Sequence, residues 1–127
     1  MNTEKVVFSF FIVLALTLNF GFFIGGIDNP AHHNVYELFA AIVVNLIATV
    51  LKFGDRTQTG AVLLATSLVA ELHLLAAVLV WSVAAYGVGL GETPAVTVAI
   101  VSLAGGALLA NIVSVVLLIV EIAVLRR

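Results

Sequence analysis

The sequence predicts an all-α, polytopic membrane protein: a four-helix transmembrane bundle forming one domain over residues 1–127. Three observations predict it. The chain is 63% hydrophobic and 9% charged, with a mean hydropathy of +1.27, and a soluble domain of this size could not cover its surface with polar groups. Four runs of about 20 apolar residues or more, each long enough to cross the hydrocarbon core, take up nearly all of it. All five cationic residues, Lys5, Lys52, Arg56, Arg126 and Arg127, stand at the ends of these runs.

Span one covers about residues 6–25, with Asn2 or Thr3 as its cap. It is longer than a signal-peptide core and no Ala-x-Ala-like site follows it, so it reads as a retained helix. Span two covers about residues 34–53. Asn34 and Glu37 have capping-box spacing, and Asn29-Pro30 fits a short interfacial turn ahead of them. Gly54 suits a helix C-terminus, and Gly54-Asp55-Arg56-Thr57-Gln58 reads as a tight polar turn. Span three covers about residues 59–86 and is broken by the glycine-rich stretch Gly87–Pro94. Span four covers about residues 95–125. Spans three and four exceed the minimum length and must tilt, kink or project.

Cationic loops stay in the cytoplasm. An even number of spans with both termini inside accommodates all five cations at once. It leaves the loops Gly26–His33 and Gly87–Pro94, which have no Lys or Arg, outside. Tyr36, Trp81 and Tyr86 then fall near the outer interface, where aromatic belts form.

Five polar side chains fall at membrane depth. Asn45, Glu71, His73 and Asn111 lie near the middle of their spans, and Asn19 lies somewhat outward. Each needs a partner in hydrocarbon. Four spans therefore contribute to one polar core. Glu71 is the sharpest of these groups, because an ionised carboxylate there is costly unless it is paired or hydrated. Protonated, it can donate a hydrogen bond or carry a proton. His73 stands about 200° around the helix from it, so the two address different neighbours. Structural bonding to the asparagines and an ion or proton role both remain open. Glu37 and Glu121 read as interfacial, with Glu121 in reach of the inner cations. Asp28, His32, His33 and Glu37 lack a metal-site spacing, since adjacent histidines point apart. No nucleophile–base pair, cofactor loop or metal motif occurs, so no enzyme activity, cofactor or metal is expected.

Small residues recur every four positions at Thr17, Gly21 and Gly25 in span one, and at Ser102, Gly106, Ala110 and Ser114 in span four. Such faces let helices approach closely, within one bundle or between chains. Ala41–Ala48 also echoes Ala107–Ser114 in a span of the same direction, as a parallel duplication would.

Trp81-Ser82-Val83, then Val88-Gly89-Leu90-Gly91-Glu92, looks like the pore region of a potassium channel, in which alternating glycines aim carbonyls at an axis. Leu90 stands where that family has tyrosine. Only about 30 residues separate the preceding polar turn from the string, too few for a full span plus a re-entrant pore helix. The membrane glutamate that small multidrug exporters carry in their first helix is missing; that helix has only Asn19.

Ala15-Leu16-Thr17-Leu18-Asn19-Phe20-Gly21-Phe22-Phe23, Asp28-Asn29-Pro30 and Lys52-Phe53-Gly54-Asp55-Arg56-Thr57-Gln58 resemble an uncharacterised family of small bacterial inner-membrane proteins, a domain of unknown function. The resemblance implies a bacterial inner membrane and carries no activity or site residue. The expected function is that of a small integral membrane subunit that assembles with itself or with a larger transport or channel partner in the lipid bilayer. The rival expectation is a self-sufficient ion or proton pathway through Glu71, of which a pore at Val88–Gly91 is one variant. No feature points to nucleic acid.

Overall fold

The structure is a computed structural model that describes residues 3–24, 34–55, 57–87 and 93–125. Four helices follow one another: α1 (Thr3–Phe23), α2 (Val35–Lys52), α3 (Gln58–Ser82) and α4 (Pro94–Leu125). A π-helical turn, Val83–Gly87, continues α3 without a break. All four helices are long and apolar enough to cross a membrane. They form a ring in which α1 packs on α2 and α4, and α3 packs on α4 and α2.

The helix ends follow local chemistry. Asn34 caps α2, its side chain accepting from Tyr36 N–H at 2.8 Å. Only half of the expected capping box forms, because the Glu37 carboxylate lies over Gly21 of α1. Gly54 ends α2 with a φ of +87°, in the left-handed region where a Cβ would be strained. Thr57 caps α3 by accepting from Gly60 N–H at 3.0 Å. Thr93 caps α4, accepting from Val96 N–H at 3.2 Å, and Pro94 takes the first helical position, where its missing N–H costs nothing. Span one begins at Thr3, earlier than expected, with Glu4 in a first turn that favours an acid. Asn2, Gly25, Asn29-Pro30, Arg56, Arg126 and Arg127 lie outside the described residues.

One part of the potassium-channel arrangement is missing among the described residues. Trp81-Ser82-Val83 is the continuation of one helix running from Gln58 to Gly87, so no separate pore helix exists there. Val88–Gly91 itself lies outside the described residues. A hairpin of two long helices uses fewer elements and satisfies every backbone group within the helix, as lipid demands.

One end of the bundle gathers charge. Lys5 pairs with Glu121 at 3.1 Å and ties the start of α1 to the end of α4. Lys52 reaches Asp55 at 3.4 Å and sits 4.3 Å above the Phe8 ring, tying α2 to α1. The Asp55 carboxylate accepts from the Thr57 hydroxyl at 2.7 Å and from Thr57 N–H at 3.0 Å. Those bonds, with Lys52 beside them, hold its pKa below the ordinary 3.8. At the other end Trp81 meets Phe39 and Tyr86 edge-on, both at 5.8 Å between ring centroids. Tyr36 and Tyr86 are 80% exposed there, as interfacial aromatics are.

The apolar core is in two pieces. One, toward the charged end, contains Phe8, Ile12, Ala48, Leu63 and Leu118. The other, toward the loop end, is larger and contains Phe22, Leu38, Ala41, Ala70, Leu74, Ala77, Ile100, Val101, Ala104, Ala107 and Ala110.

Candidate functional site

A polar layer fills the gap between the two apolar clusters, and every helix contributes to it. On α1, Asn19 stands between Ile12 and Phe22. On α2, Asn45 stands between Ala41 and Ala48. On α3, Ser67 stands between Leu63 and Ala70, with Glu71 just beyond. On α4, Asn111 and Ser114 stand between Ala110 and Leu118. The asparagines and serines are fully buried, and Glu71 is 6% exposed. Helical periodicity explains the placement: each polar residue lies three or four positions from an apolar one on the inward stripe.

Asn19 is the best-bonded member. With its amide turned to match donors to acceptors, Nδ2 donates to Ala104 O at 3.0 Å. Its Oδ1 accepts from Leu108 N at 3.0 Å and from Asn111 Nδ2 at 3.2 Å. The carboxamide thus takes both members of one i, i+4 backbone pair of α4, at the Gly105-Gly106 step. Phe23 of α1 fills the space that a side chain at Gly105 would need.

Other members carry unpartnered atoms. Asn45 Oδ1 and Nδ2, Ser67 Oγ, Glu71 Oε1 and Asn111 Oδ1 are buried without a hydrogen bond. Thr97 Oγ1 shares that state nearer the loop end. Glu71 has no cation in its own stratum. No Lys or Arg occurs between Val6 and Phe23, between Leu38 and Leu51, between Gln58 and Gly87, or between Pro94 and Val120.

His73 belongs to a different contact. Its Nδ1 lies 2.9 Å from Val69 O, and its ring lies on Gly106 of α4. Two turns lower on the same stripe, the Thr66 hydroxyl bonds that of Ser114. The helix does offer polar groups to two sides, as the sequence implied: Thr66 and His73 meet α4, while Ser67 and Glu71 are buried on the other stripe. His73 therefore leaves the expected polar core and becomes a packing residue.

The small-residue stripes are largely used within the chain. Gly106 receives His73, Ser114 receives Thr66, and Ala110 is buried beside Asn111. Ser102 is exposed, because a four-residue step overshoots the helical turn by about 40°, and three steps carry it off the face. Gly21 lies under Glu37 of α2, while Thr17 is exposed and donates to Leu14 O at 2.9 Å. Thr17 lines an apolar groove of about 330 Å³ with Leu16, Phe20, Leu108 and Ile112. Gly25 lies outside the described residues.

Sequence reasoning missed the seat of Glu37 on Gly21 and of Lys52 on Phe8. Neither has a signal within one helix, since both depend on the register between helices. It also passed over Ser67 as a site residue, although its spacing of four from Glu71 places it on the same stripe. The echo between spans two and four does have a spatial counterpart. Asn45 and Asn111 occupy the layer at matching positions, each four residues after an alanine of the larger cluster, Ala41 or Ala107.

A second cleft, of about 520 Å³, opens at the charged end between Glu4, Lys5, Phe8, Lys52 and Asp55. Its ammonium groups are already paired with Glu121 and Asp55. Among the described residues no three His, Cys, Asp or Glu side chains gather as metal ligands would. Asp28, His32 and His33 lie outside them. The chemistry offered by the polar layer is therefore that of oxygen and amide groups around one carboxylate, closed off by apolar side chains on both sides.

No curated protein and no solved structure matches the chain. One family model, a family of unknown function (DUF6394), matches residues 32–122, which takes in α2, α3 and most of α4. That match includes the Lys52–Gln58 turn, and it makes the chain a member of this family of unknown function.

Proposed function

We propose that the protein is a multi-pass protein of a bacterial inner membrane, with both termini in the cytoplasm, that binds and passes a proton or small cation through the polar layer at Glu71. The orientation rests on the cations, since Lys5, Lys52 and Arg56 flank the ends that would lie inside. The functional reading rests on one observation. Among the described residues a buried carboxylate at mid-span has no ion-pair partner, in a layer to which α2, α3 and α4 contribute unpartnered oxygens. An intramembrane acid in that setting marks ion or proton handling more often than scaffolding. The two apolar clusters close the layer from both sides, so passage requires one of them to open at a time.

The test is flux in liposomes that contain the purified protein alone. A proton or cation gradient should dissipate faster than in empty liposomes, and Glu71→Gln should return the rate to that of empty liposomes with helicity unchanged. Absence of wild-type flux in folded protein would sink this reading. Single cysteines placed at Gln58 and at Gly87 should be labelled from opposite faces of the membrane, Gln58 from the cytoplasm.

A second reading, a subunit that assembles with itself or with a larger transport or channel partner, has its own support. At about 1.5 Å per residue, α4 and the α3 span are each some 15 Å longer than α1. Leu79, Val83 and Tyr86 are exposed on that longer hairpin. The small-residue stripes lend assembly little support, because Gly106, Ser114 and Gly21 are covered from within the chain. A molar mass of one chain after gentle detergent extraction, with nothing co-purifying, would remove this reading.

A further inference from the structure

We propose that the polar layer is a binding site for one alkali-metal cation, held by Glu71 Oε1, Asn45 Oδ1, Ser67 Oγ and Asn111 Oδ1. The proposal rests on the reading that Glu71 handles a proton or small cation, and it names the ligand. The unpartnered atoms of the layer are four oxygens and one nitrogen. Whichever way the Asn45 amide is turned, it offers one oxygen. Lone pairs therefore outnumber the hydrogens available to fill them. A proton on Glu71 would serve one oxygen, and together with the Asn45 amide hydrogens and the Ser67 hydroxyl it still leaves lone pairs of these four oxygens unfilled. Hard oxygen donors in that number suit an alkali or alkaline-earth ion.

Charge decides between those two classes. Glu71 is the one carboxylate that the layer contains. The other titratable groups on the membrane-spanning stretches are accounted for elsewhere: Glu37 of α2 lies on Gly21, and His73 lies on Gly106. α1 and α4 have no ionisable residue between Val6 and Phe23 or between Pro94 and Val120. A monovalent ion neutralises one carboxylate. A divalent ion would leave a net charge buried in a medium of low dielectric, which is strongly unfavourable.

The register of α3 on α4, with His73 on Gly106 and Thr66 on Ser114, sets Asn111 at a level between Ser67 and Glu71. Measured from the cluster of Ala48, Leu63 and Leu118, Asn45 stands about 4.5 Å, Ser67 about 6 Å, Asn111 about 10 Å and Glu71 about 12 Å toward the loop end. Side chains lean toward the N-terminus of their helix. On α3 that lean carries Glu71 back toward the charged end. On α2 it carries Asn45 toward the loop end, so these two side chains approach each other. The apolar clusters above and below exclude bulk water, as an occluded ion site requires.

The test is thermal unfolding of the full chain in lipid nanodiscs, in NaCl, KCl and choline chloride at equal ionic strength, with retention of radioactive sodium and rubidium measured alongside. The melting temperature should be higher in Na⁺ or K⁺ than in choline, with about one ion retained per chain at saturation. Glu71→Gln should abolish both effects, and Ser67→Ala should weaken binding about tenfold, the equivalent of one lost ligand contact. If Glu71→Gln does not fold, the wild-type salt comparison and Ser67→Ala decide. Equal melting in all three salts with no ion retained overturns the cation. If melting then still depends on pH in the wild type but not in Glu71→Gln, the layer holds a proton, and the functional reading stands without this proposal. Dependence on neither pH nor cation overturns both.

Discussion

Gly106→Leu is expected to destabilise the bundle by about 1–3 kcal/mol, the usual range for forcing extra atoms into a packed interface. The cause is local. A Cβ on Gly106 would stand 2.5 Å from His73 Cδ2 and 2.8 Å from its Nε2, closer than carbon atoms approach without a shift. The ring cannot simply swing away, because its Nδ1 is held 2.9 Å from Val69 O. Moving it forfeits that bond at a depth with little water to replace it. Leucine adds three more carbons where α3 and α4 share their interface. His73→Ala on the same background should recover most of the loss, since it removes the obstructing ring. The coupling, measured as a double-mutant cycle by unfolding in detergent, should be large and favourable to the pair. A Gly106→Leu melting curve that overlays the wild type would contradict the observed seat of His73. Loss of an oligomer without rescue by His73→Ala would instead mark Gly106 as a contact between chains.

That pair also shows what could be read from the sequence and what could not. The four-residue spacing of Ser102, Gly106, Ala110 and Ser114 identifies a close-contact face, and three of the four are used that way. It does not name the partner, because His73 meets Gly106 only through the register of α3 against α4, which no single helix encodes. The same holds for Glu37 on Gly21: the capping-box spacing was real, but a carboxylate seat on the neighbouring helix won over the local bond to the cap. Helix ends were more readable. Asn34, Gly54, Thr57 and Pro94 act through their own backbone neighbours, so their roles travel with the sequence. The depth of the polar residues was readable for a similar reason, since rise per residue is fixed. Its division of the core into two clusters was not, because that depends on which stripe of each helix faces inward. His73 shows the limit. Its depth matches Glu71, yet its stripe turns it onto α4 and out of the layer.

Asn19→Leu is expected to cost about 2 kcal/mol, on the basis of three lost bonds at roughly 0.6 kcal/mol each, the average for polar contacts inside membranes. The volumes of the two side chains are close, so the loss is one of bonding rather than of packing. It falls unequally on the three partners. Ala104 O and Leu108 N are an i, i+4 pair of the continuous helix α4, so the helical bond between them serves both once the carboxamide is gone and recovers part of the cost. Asn111 Nδ2 has no such recourse, because it is fully buried and its own Oδ1 is already without a partner. A buried donor deprived of its acceptor is the dearer loss. In choline chloride, where no alkali cation is bound, Asn111→Leu added to Asn19→Leu should therefore restore stability rather than reduce it further. Asn19→Asp should be worse than Asn19→Leu, because a carboxylate cannot donate to Ala104 O and would bury a charge beside it. Hydrogen exchange at Leu108 reads the local event: its N–H should remain protected in Asn19→Leu, through the helical bond to Ala104 O. If Asn19→Leu melts with the wild type and Asn111→Leu adds a second loss, then the carboxamide does not join α1 to the backbone of α4.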